Sequence, residues 1–186
     1  MQSAMNRPRV SVFVGLSLDG FIAGPGGDLS WMEPYSTDSP EETGYGHLMD
    51  SIDTLIMGRN TYEKVLSFGA WPYPAKRVVV LTHRPLDSRH GEMAYAGLLE
   101  NLLDRLKRQG SRHVYLDGGE SVRQGLAGHL VDEMTLSWVP VILGRGIPLF
   151  DAALCPSMWK VKEVRALPSG LVQTVYSCPH AEAAER

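Results

Sequence analysis

The stretch DTLIMGRNTYEK, residues 53–64, changes from a strand pattern to a helix pattern at Gly58 and Arg59. TLIM is an apolar run typical of a buried strand, and NTYEKVLSF is typical of a short helix, with Asn60 as a candidate N-cap and Glu63 three residues further on. A strand that runs directly into a helix favours an α/β sheet with parallel strands. Ligands of such sheets lie at the carboxyl ends of the strands, which is where this glycine and arginine stand.

The other apolar segments extend this pattern along the chain. Further strands are predicted near residues 9–16, 76–82, 91–97, 112–117, 131–143, 158–167 and 171–178, and helices near residues 40–50, 60–68, 98–110 and 120–130. The early alternation indicates parallel strands, and the three final strands indicate an antiparallel edge, with Pro168-Ser169-Gly170 as a hairpin turn. We therefore expect one three-layer α/β domain whose central sheet is mixed and mostly parallel, with antiparallel C-terminal strands.

Three local signals refine the helices. Ser39 is a candidate N-cap of the helix at residues 40–50, which Gly44 and Gly46 weaken. Gly110 is expected to close the amphipathic helix at residues 98–110.

The composition is that of an ordinary soluble globular protein, with 44% apolar and 21% charged residues and a net charge of −3 over 186 residues. This length favours a single domain, which we place at residues 8–178, with flexible termini at 1–7 and 179–186. The charge gives no indication of nucleic-acid binding. The two cysteines form no CxxC motif, and we find neither a signal peptide nor an apolar run long enough to cross a membrane, so we expect a cytoplasmic protein.

Common motifs for cofactors and hydrolysis are missing. GPGGDL (24–29) and GRGIPL (144–149) each lack the third glycine of the dinucleotide fingerprint GxGxxG. Gly15 and Gly20 have the spacing of a P-loop, but Phe21 and Ile22 follow where a lysine and a hydroxyl residue are needed. We find no GxSxG motif and no cluster with metal-ligand spacing, so we expect no metal.

Three predicted strand ends carry unusual residues. They are Gly58-Arg59-Asn60-Thr61, Thr82-His83-Arg84 and Asp117-Gly118-Gly119-Glu120. A helix amino terminus offers unpaired N–H donors and a positive field, and arginine grips phosphate through two parallel hydrogen bonds. Each corner alone is better explained by a plain turn or a solvated loop. Together, at the carboxyl edge of one sheet, they favour a long ligand with several phosphates.

The segments that carry these corners also resemble a known family. They are VFVGLSLDGFIAG (12–24), LIMGRNTYE (55–63), VVVLTHRPL (78–86), VYLDGGESV (114–122) and VILGRGIPLF (141–150). In this order they resemble the dihydrofolate reductase-like family, in its branch similar to the C-terminal reductase domain of the riboflavin biosynthesis protein. The resemblance covers residues 8–178.

The resemblance implies that NADPH binds without a GxGxxG motif. It places Gly58, Arg59 and Thr61 at the cofactor phosphates, Thr82 and Arg84 near the adenosine 2′-phosphate, and Gly118, Gly119 and Glu120 along the pyrophosphate. It also implies a cis peptide bond between the paired glycines. A homodimer is compatible with the resemblance, with Trp138 and Trp159 as candidate interface residues or, equally, as core residues.

A reduction of a C=N or C=O group also needs one proton. The resemblance places Asp19 beside the nicotinamide, and Glu42 lies near the position of the substrate-binding acid in dihydrofolate reductases. An ordered water is an equal alternative to both. Trp31 either lines the substrate pocket or pins the glycine-rich loop, and Arg145 either binds substrate or is solvated.

Two functional hypotheses follow from the resemblance. In the first, the protein is an NADPH-dependent reductase of a small, heterocyclic, riboflavin-pathway-like or pterin-like substrate. Residues 30–50 lack recognisable polar groups for a phosphoribosyl substrate, and the deaminase half of the bifunctional riboflavin enzyme is absent from the sequence. In the second, it is a non-catalytic nucleotide-binding module on the same fold.

Overall fold

An eight-stranded mixed sheet runs through the part of the chain that the computed structural model describes, residues 7–36 and 40–179. Its strands are β1 (Arg9–Ser17), β3 (Thr54–Gly58), β4 (Arg77–Leu81), β5 (Met93–Tyr95), β6 (His113–Asp117), β7 (Glu133–Val139), β9 (Lys160–Ala166) and β10 (Val172–Ser177). They lie in the order β5-β4-β3-β6-β1-β7-β10-β9. The first six strands are parallel to one another, and β10 pairs antiparallel with both β7 and β9. This confirms the predicted mixed sheet.

Helices cover both faces of this sheet. They are α1 (Pro40–Thr43), α2 (Tyr45–Ser51), α3 (Arg59–Leu66), α4 (Leu99–Arg108) and α5 (Gly119–Ala127), with 3-10 turns at Pro25–Gly27 and Ser30–Tyr35. Side chains alternate across a strand, so Leu116 packs with α4 and α5 while Tyr115 packs with α2 and α3. This arrangement confirms the three layers.

The helix predicted at residues 40–50 is broken at Gly44. This glycine has φ 76°, a left-handed conformation that ends α1 before α2 begins. Arg165 Nη2 donates a hydrogen bond of 3.2 Å to the carbonyl oxygen of Thr43 and so satisfies the end of α1. The predicted N-cap, Ser39, lies outside the described residues.

The predicted cap of α3 is wrong by two residues. Helix α3 begins at Arg59, and Gly58 takes the N-cap position with φ −74° and ψ 162°. Asn60 therefore lies inside the first turn, and no side chain among the described residues caps the helix. The first N–H groups of α3 are thus left without a side-chain acceptor at the carboxyl edge of the sheet.

Both ends of the predicted domain meet Asp132, the residue just before β7. Arg7, which the prediction placed in the flexible terminus, is buried and donates two hydrogen bonds of 2.7 Å to the carboxylate of Asp132. The Cys178 N–H donates to the carbonyl oxygen of Asp132 at 2.9 Å. The other tail residues, 1–6 and 180–186, lie outside the described residues.

Trp138 and Trp159 pack against the main core cluster. Both also line a cavity of about 360 Å³ that contains Cys155. Both rings are half-buried against the core, and their role at an interface stays a prediction.

Candidate functional site

The three corners singled out in the sequence lie side by side at the carboxyl edge of the sheet. Met57 is paired with Asp117 across β3 and β6, and Gly58 is paired with Leu81 across β3 and β4. The Thr82 N–H then bonds the carbonyl oxygen of Tyr95 at 2.9 Å, which continues the edge to β5. The parallel register thus brings together residues that are far apart in sequence.

The first and third corners touch at Gly118 and Thr61. Gly118 has φ 84°, and a Cβ atom built on it would lie 2.0 Å from Thr61 Oγ1. A Cβ on Gly58 would lie 3.6 Å from the Cβ of Glu120. We call these residues, Gly58, Thr61 and Gly118, the glycine cradle. It exists because Gly118 has no side chain, so the side chain of Thr61 packs directly against the Gly118 backbone.

The peptide bond between Gly118 and Gly119 is trans, and no cis peptide bond occurs among the described residues. The expected cis bond is therefore wrong. The positive φ of Gly118 provides the sharp turn from β6 into α5 instead.

The second corner is joined to the first by Arg59. Its Nη1 donates a 2.7 Å hydrogen bond to the carbonyl oxygen of Pro85, and its Nε donates one of 2.7 Å to Glu63 Oε1. The hydrogen bond from Arg59 lowers the pKa of the Glu63 carboxyl, and the positive charge of Arg84 lowers it further.

Arg84 itself is held at its backbone, where its N–H donates to Thr82 Oγ1 at 3.1 Å. Its side chain is exposed and has no ion-pair partner among the described residues. We call Arg59, Glu63 and Arg84 the arginine end of the site.

Asp19 ties two loops together. Its carboxylate accepts hydrogen bonds from Ser17 Oγ at 2.7 Å, from the Leu143 N–H at 3.1 Å and from the Gly144 N–H at 2.6 Å. The Ser17 hydroxyl and these two amides lower the pKa of Asp19 to about 2. The carboxyl therefore carries no proton at neutral pH, and it stabilises the loop that contains Arg145.

The same loops form a small two-stranded sheet that the sequence did not predict. It consists of β2 (Phe21–Ala23) and β8 (Ile147–Pro148). Arg123, which sequence reasoning missed, fixes this sheet to α5 by donating to the carbonyl oxygen of Pro148 at 2.7 Å. Arg123 also pairs with Glu120 at 3.3 Å, so Glu120 faces this arginine.

The remaining predicted residues lie around the small sheet and the hairpin. Arg145 is exposed, and its side chain makes no hydrogen bond to any described residue. Glu42 Oε1 accepts a 3.0 Å hydrogen bond from the Ser169 N–H, which joins α1 to the hairpin turn. Trp31 packs against Val139 and Leu167, as expected of a residue that pins the glycine-rich loop.

A half-buried carboxyl group lies next to the glycine cradle. Tyr115 Oη lies 3.3 Å from Asp117 Oδ1, and Tyr73 Oη lies 3.4 Å from Asp117 Oδ2. Both tyrosines are buried, with 4% and 6% of their surface exposed. We call Asp117, Tyr73 and Tyr115 the aspartate end of the site.

Burial changes the acid–base properties of the aspartate end. It raises the pKa of the Asp117 carboxyl, because ionising this group would place a charge among aromatic rings. Burial also raises the pKa of Tyr45, which packs edge-on against Phe13 and Tyr115, to about 12. The aspartate end therefore holds a proton more firmly than an ordinary carboxyl group does.

Sequence reasoning named Asp117 only as part of a turn. Tyr115 and Asp117 are two residues apart on β6 and so share one face, a signal that the strand pattern contained. Tyr73 comes from the loop between α3 and β4, and no spacing rule connects it to Asp117.

A separate cavity of about 450 Å³ lies between α2 and the β9–β10 strands. Its lining is strongly charged, with Arg9, Lys162 and Arg165 together with Glu133 and Glu163. Arg9 and Lys162 both pair with Glu133, at 3.0 and 3.2 Å.

Two other kinds of site receive no support from the described part of the chain. It contains no group of three or more His, Cys, Asp or Glu residues placed to hold a metal ion. None of its helices combines the length and apolar character that a membrane span requires.

Comparisons with known proteins agree with this geometry. A family model described as the RibD C-terminal domain matches residues 8–173. The protein YwjB of Bacillus subtilis (strain 168) is 33% identical over 144 residues, which cover 75% of this chain and 80% of YwjB. Dihydrofolate reductase HdrB of Haloferax volcanii is 28% identical over 120 residues, which cover 63% of this chain and 59% of HdrB.

Solved structures show the same architecture. A candidate riboflavin biosynthesis protein from Shewanella sp. PV-4 is 34% identical, with a TM-score of 0.84 over 91% of this chain and 98% of that chain. A diaminohydroxyphosphoribosylaminopyrimidine deaminase/reductase of Thermotoga maritima is 18% identical, with a TM-score of 0.69 over 92% of this chain and 57% of that chain. The second likeness shows the fold alone.

Proposed function

The chain belongs to the RibD C-terminal domain family, and from this premise we propose that it is an NADPH-dependent reductase of a small heterocyclic substrate. The observation that carries the proposal is the glycine cradle, where the absence of a side chain on Gly118 lets Thr61 pack against it and brings the first turns of α3 and α5 together. The cradle stands between the exposed arginine end and the half-buried aspartate end.

The residues present fit an elongated dinucleotide. Helices α3 and α5 both begin at the cradle, so their first N–H groups and positive dipole ends suit a pyrophosphate. Arg59 and Arg84 supply positive charge on one side of it, where a 2′-phosphate would bind. Arg59 would keep its hydrogen bond to Pro85 while it binds the phosphate, because that bond uses Nη1 and the phosphate would bind Nη2.

The chemistry divides between the cofactor and Asp117. A bound dihydronicotinamide supplies a hydride, and the substrate must also gain a proton. We assign that proton to the Asp117 carboxyl, which would donate it to the nitrogen of a C=N group or the oxygen of a C=O group. The hydroxyl group of Tyr73 would then stabilise the carboxylate that remains, because it already lies beside it. Tyr115 Oη lies 3.3 Å from the same carboxyl group and also donates to the carbonyl oxygen of Phe13 at 2.9 Å.

Asp19 and Glu42 receive different roles in this proposal. With a pKa of about 2, Asp19 has no proton to give at neutral pH, and we assign it to holding the loop that carries Gly144. Glu42 is bound to the hairpin turn at Ser169, and we assign it to positioning α1.

The walls near Asp117 indicate the class of substrate. Phe13 and Tyr45 are half-buried and pack edge to face with ring centroids 5.4 Å apart, above the buried ring of Tyr115. Aromatic surfaces of this kind favour a flat ring over a charged, flexible sugar phosphate. This supports a heterocycle as the substrate.

Binding of NADPH to glycine variants tests the proposal. Gly118→Ala would place a methyl group against Thr61 and should abolish measurable NADPH binding in a fluorescence titration. Gly110→Ala is the matched control, because Gly110 also has a positive φ, 90°, but nothing lies within 4 Å of its Cβ position. Circular dichroism checks that both variants fold, and Thr61→Val, which needs no new backbone conformation, provides a second perturbation of the cradle.

Turnover separates the reductase from a non-catalytic nucleotide-binding module. A panel of pterins, flavin precursors and carbonyl compounds is mixed with NADPH, and loss of cofactor absorbance is followed. Turnover of any member supports the reductase, and binding of NADPH without turnover across the panel supports the binding module. If the wild-type protein binds no NADPH, the proposal is wrong.

A further inference from the structure

We propose that Glu63 sets how strongly this site distinguishes a 2′-phosphorylated dinucleotide from an unphosphorylated one. It does so by orienting Arg59 while offsetting part of the positive charge that attracts the phosphate. This inference rests on the proposed function.

The side chain of Arg59 is held on two sides before any ligand arrives. Nε bonds Glu63 and Nη1 bonds Pro85, each at 2.7 Å, and 23% of the side-chain surface remains exposed. Nη2 makes no hydrogen bond within the described part of the chain. The guanidinium is therefore fixed in orientation with one nitrogen available.

The charges around Arg59 oppose each other. Arg59 and Arg84 are positive and Glu63 is negative; Glu63 Oε1 lies 2.7 Å from Arg59 Nε, and the charge of Arg84 also lowers the pKa of the Glu63 carboxyl. The Glu63 side chain is 53% exposed, and its carboxylate lies 2.7 Å from Arg59 Nε, so solvent screens the interaction between these two charges only partly. A phosphate that binds Arg59 must approach a carboxylate that already binds the same guanidinium.

Two effects of Glu63 can be separated by substitution. Glu63→Gln keeps an oxygen that accepts the Arg59 Nε–H bond and removes the negative charge. Glu63→Ala removes both the charge and the bond, and leaves Arg59 held only at Pro85. If charge opposition limits phosphate affinity, Gln should strengthen binding of the phosphorylated cofactor, and Ala should strengthen it less.

Titrations with NADPH and NADH at low salt measure the effect. For Glu63→Gln, we expect the dissociation constant for NADPH to fall about three- to tenfold and that for NADH to change by less than about twofold. The gain should shrink as salt concentration rises. Glu100→Gln is the matched control, because it removes the same charge from an exposed glutamate in the first turn of α4.

The outcomes distinguish this inference from the proposed function. If wild-type protein binds NADPH but Glu63→Gln leaves the ratio of NADPH to NADH affinity unchanged or lowers it, the inference is wrong and the proposed function stands. An equal gain with Glu100→Gln would also overturn it, because net charge alone would explain the result. If the wild-type protein binds neither nucleotide, both fail together.

Discussion

The two ends of the site use charged groups in opposite environments. At the arginine end, the guanidinium groups of Arg59 and Arg84 lie within reach of solvent, so they are suited to binding an anion. At the aspartate end, aromatic burial raises the pKa of Asp117, so the carboxyl at this strand corner loses its proton less readily than an exposed one. The comparison shows that burial gives charged groups at one sheet edge different electrostatic properties. Four predictions test this difference, from the largest expected effect to the smallest.

Replacing Asp117 should affect chemistry and leave nucleotide binding intact. Asp117→Asn keeps the size of the side chain but has no acidic proton, so we expect kcat to fall about 10²- to 10⁴-fold, the usual contribution of a general acid. The dissociation constant for NADPH should stay within about twofold of the wild-type value. Single-turnover rates and NADPH titrations provide the two measurements. A kcat equal to that of the wild type would assign the proton to water.

Replacing Arg59 should weaken nucleotide binding rather than slow the chemical step. A charge-assisted hydrogen bond contributes about 1.5–3 kcal/mol, so Arg59→Ala should weaken NADPH binding about 10- to 100-fold. NADH binding should weaken less if Arg59 contacts the 2′-phosphate. Arg77→Ala is the control, because Arg77 is exposed at the opposite, amino end of β4. Equal losses for NADPH and NADH would place Arg59 at the pyrophosphate.

Thermal stability should report the raised pKa of Asp117. The pKa of the Asp117 carboxyl in the folded protein lies above its value of about 3.9 in the unfolded chain. The protonated carboxyl therefore contributes its full stability below about pH 3.9, and this contribution is lost as pH rises through the folded pKa. Asp117→Asn cannot ionise, so its Tm should match the wild type near pH 4 and exceed it at neutral pH. Each pKa unit corresponds to about 1.4 kcal/mol, or about 3–6 °C for a chain of this size. Parallel curves of Tm against pH would contradict the raised pKa.

Replacing Asp19 should loosen the loop pair with the smallest effect on rate. Asp19→Asn keeps one oxygen acceptor but loses the charge that two backbone amides share, so hydrogen exchange at Leu143 and Gly144 should quicken. We expect a few-fold rise in KM with little change in the pH profile of kcat. A loss of kcat as large as that of Asp117→Asn would return Asp19 to the role of proton donor.

The sequence contained most of the fold because its signals are local. Apolar runs located the strands of the main sheet, and Pro168-Ser169-Gly170 located the hairpin, where Gly170 adopts φ 91°. The break at Gly44 was expected only as a weakness, because glycine permits a left-handed conformation without requiring it. Strands β2 and β8 have only three and two residues, too few for a period-2 pattern to be recognised.

The candidate site was predicted at one end and missed at the other. The glycines and arginines of the corners stand at strand ends in the sequence, so the register of parallel strands was enough to bring them together. The aspartate end depends on Tyr73, which comes from a loop, and on the pKa of Asp117, which is raised because the carboxyl is buried. Burial at a particular carboxyl follows from packing in three dimensions, which no residue spacing reports.

A structure with NADPH bound tests the central claim most directly. The account predicts the pyrophosphate against Gly118 and Thr61, the 2′-phosphate within hydrogen-bond distance of Arg59 or Arg84, and the nicotinamide ring beside Asp117. NADPH in the charged cavity between α2 and β9, or a nicotinamide directed away from Asp117, would contradict it.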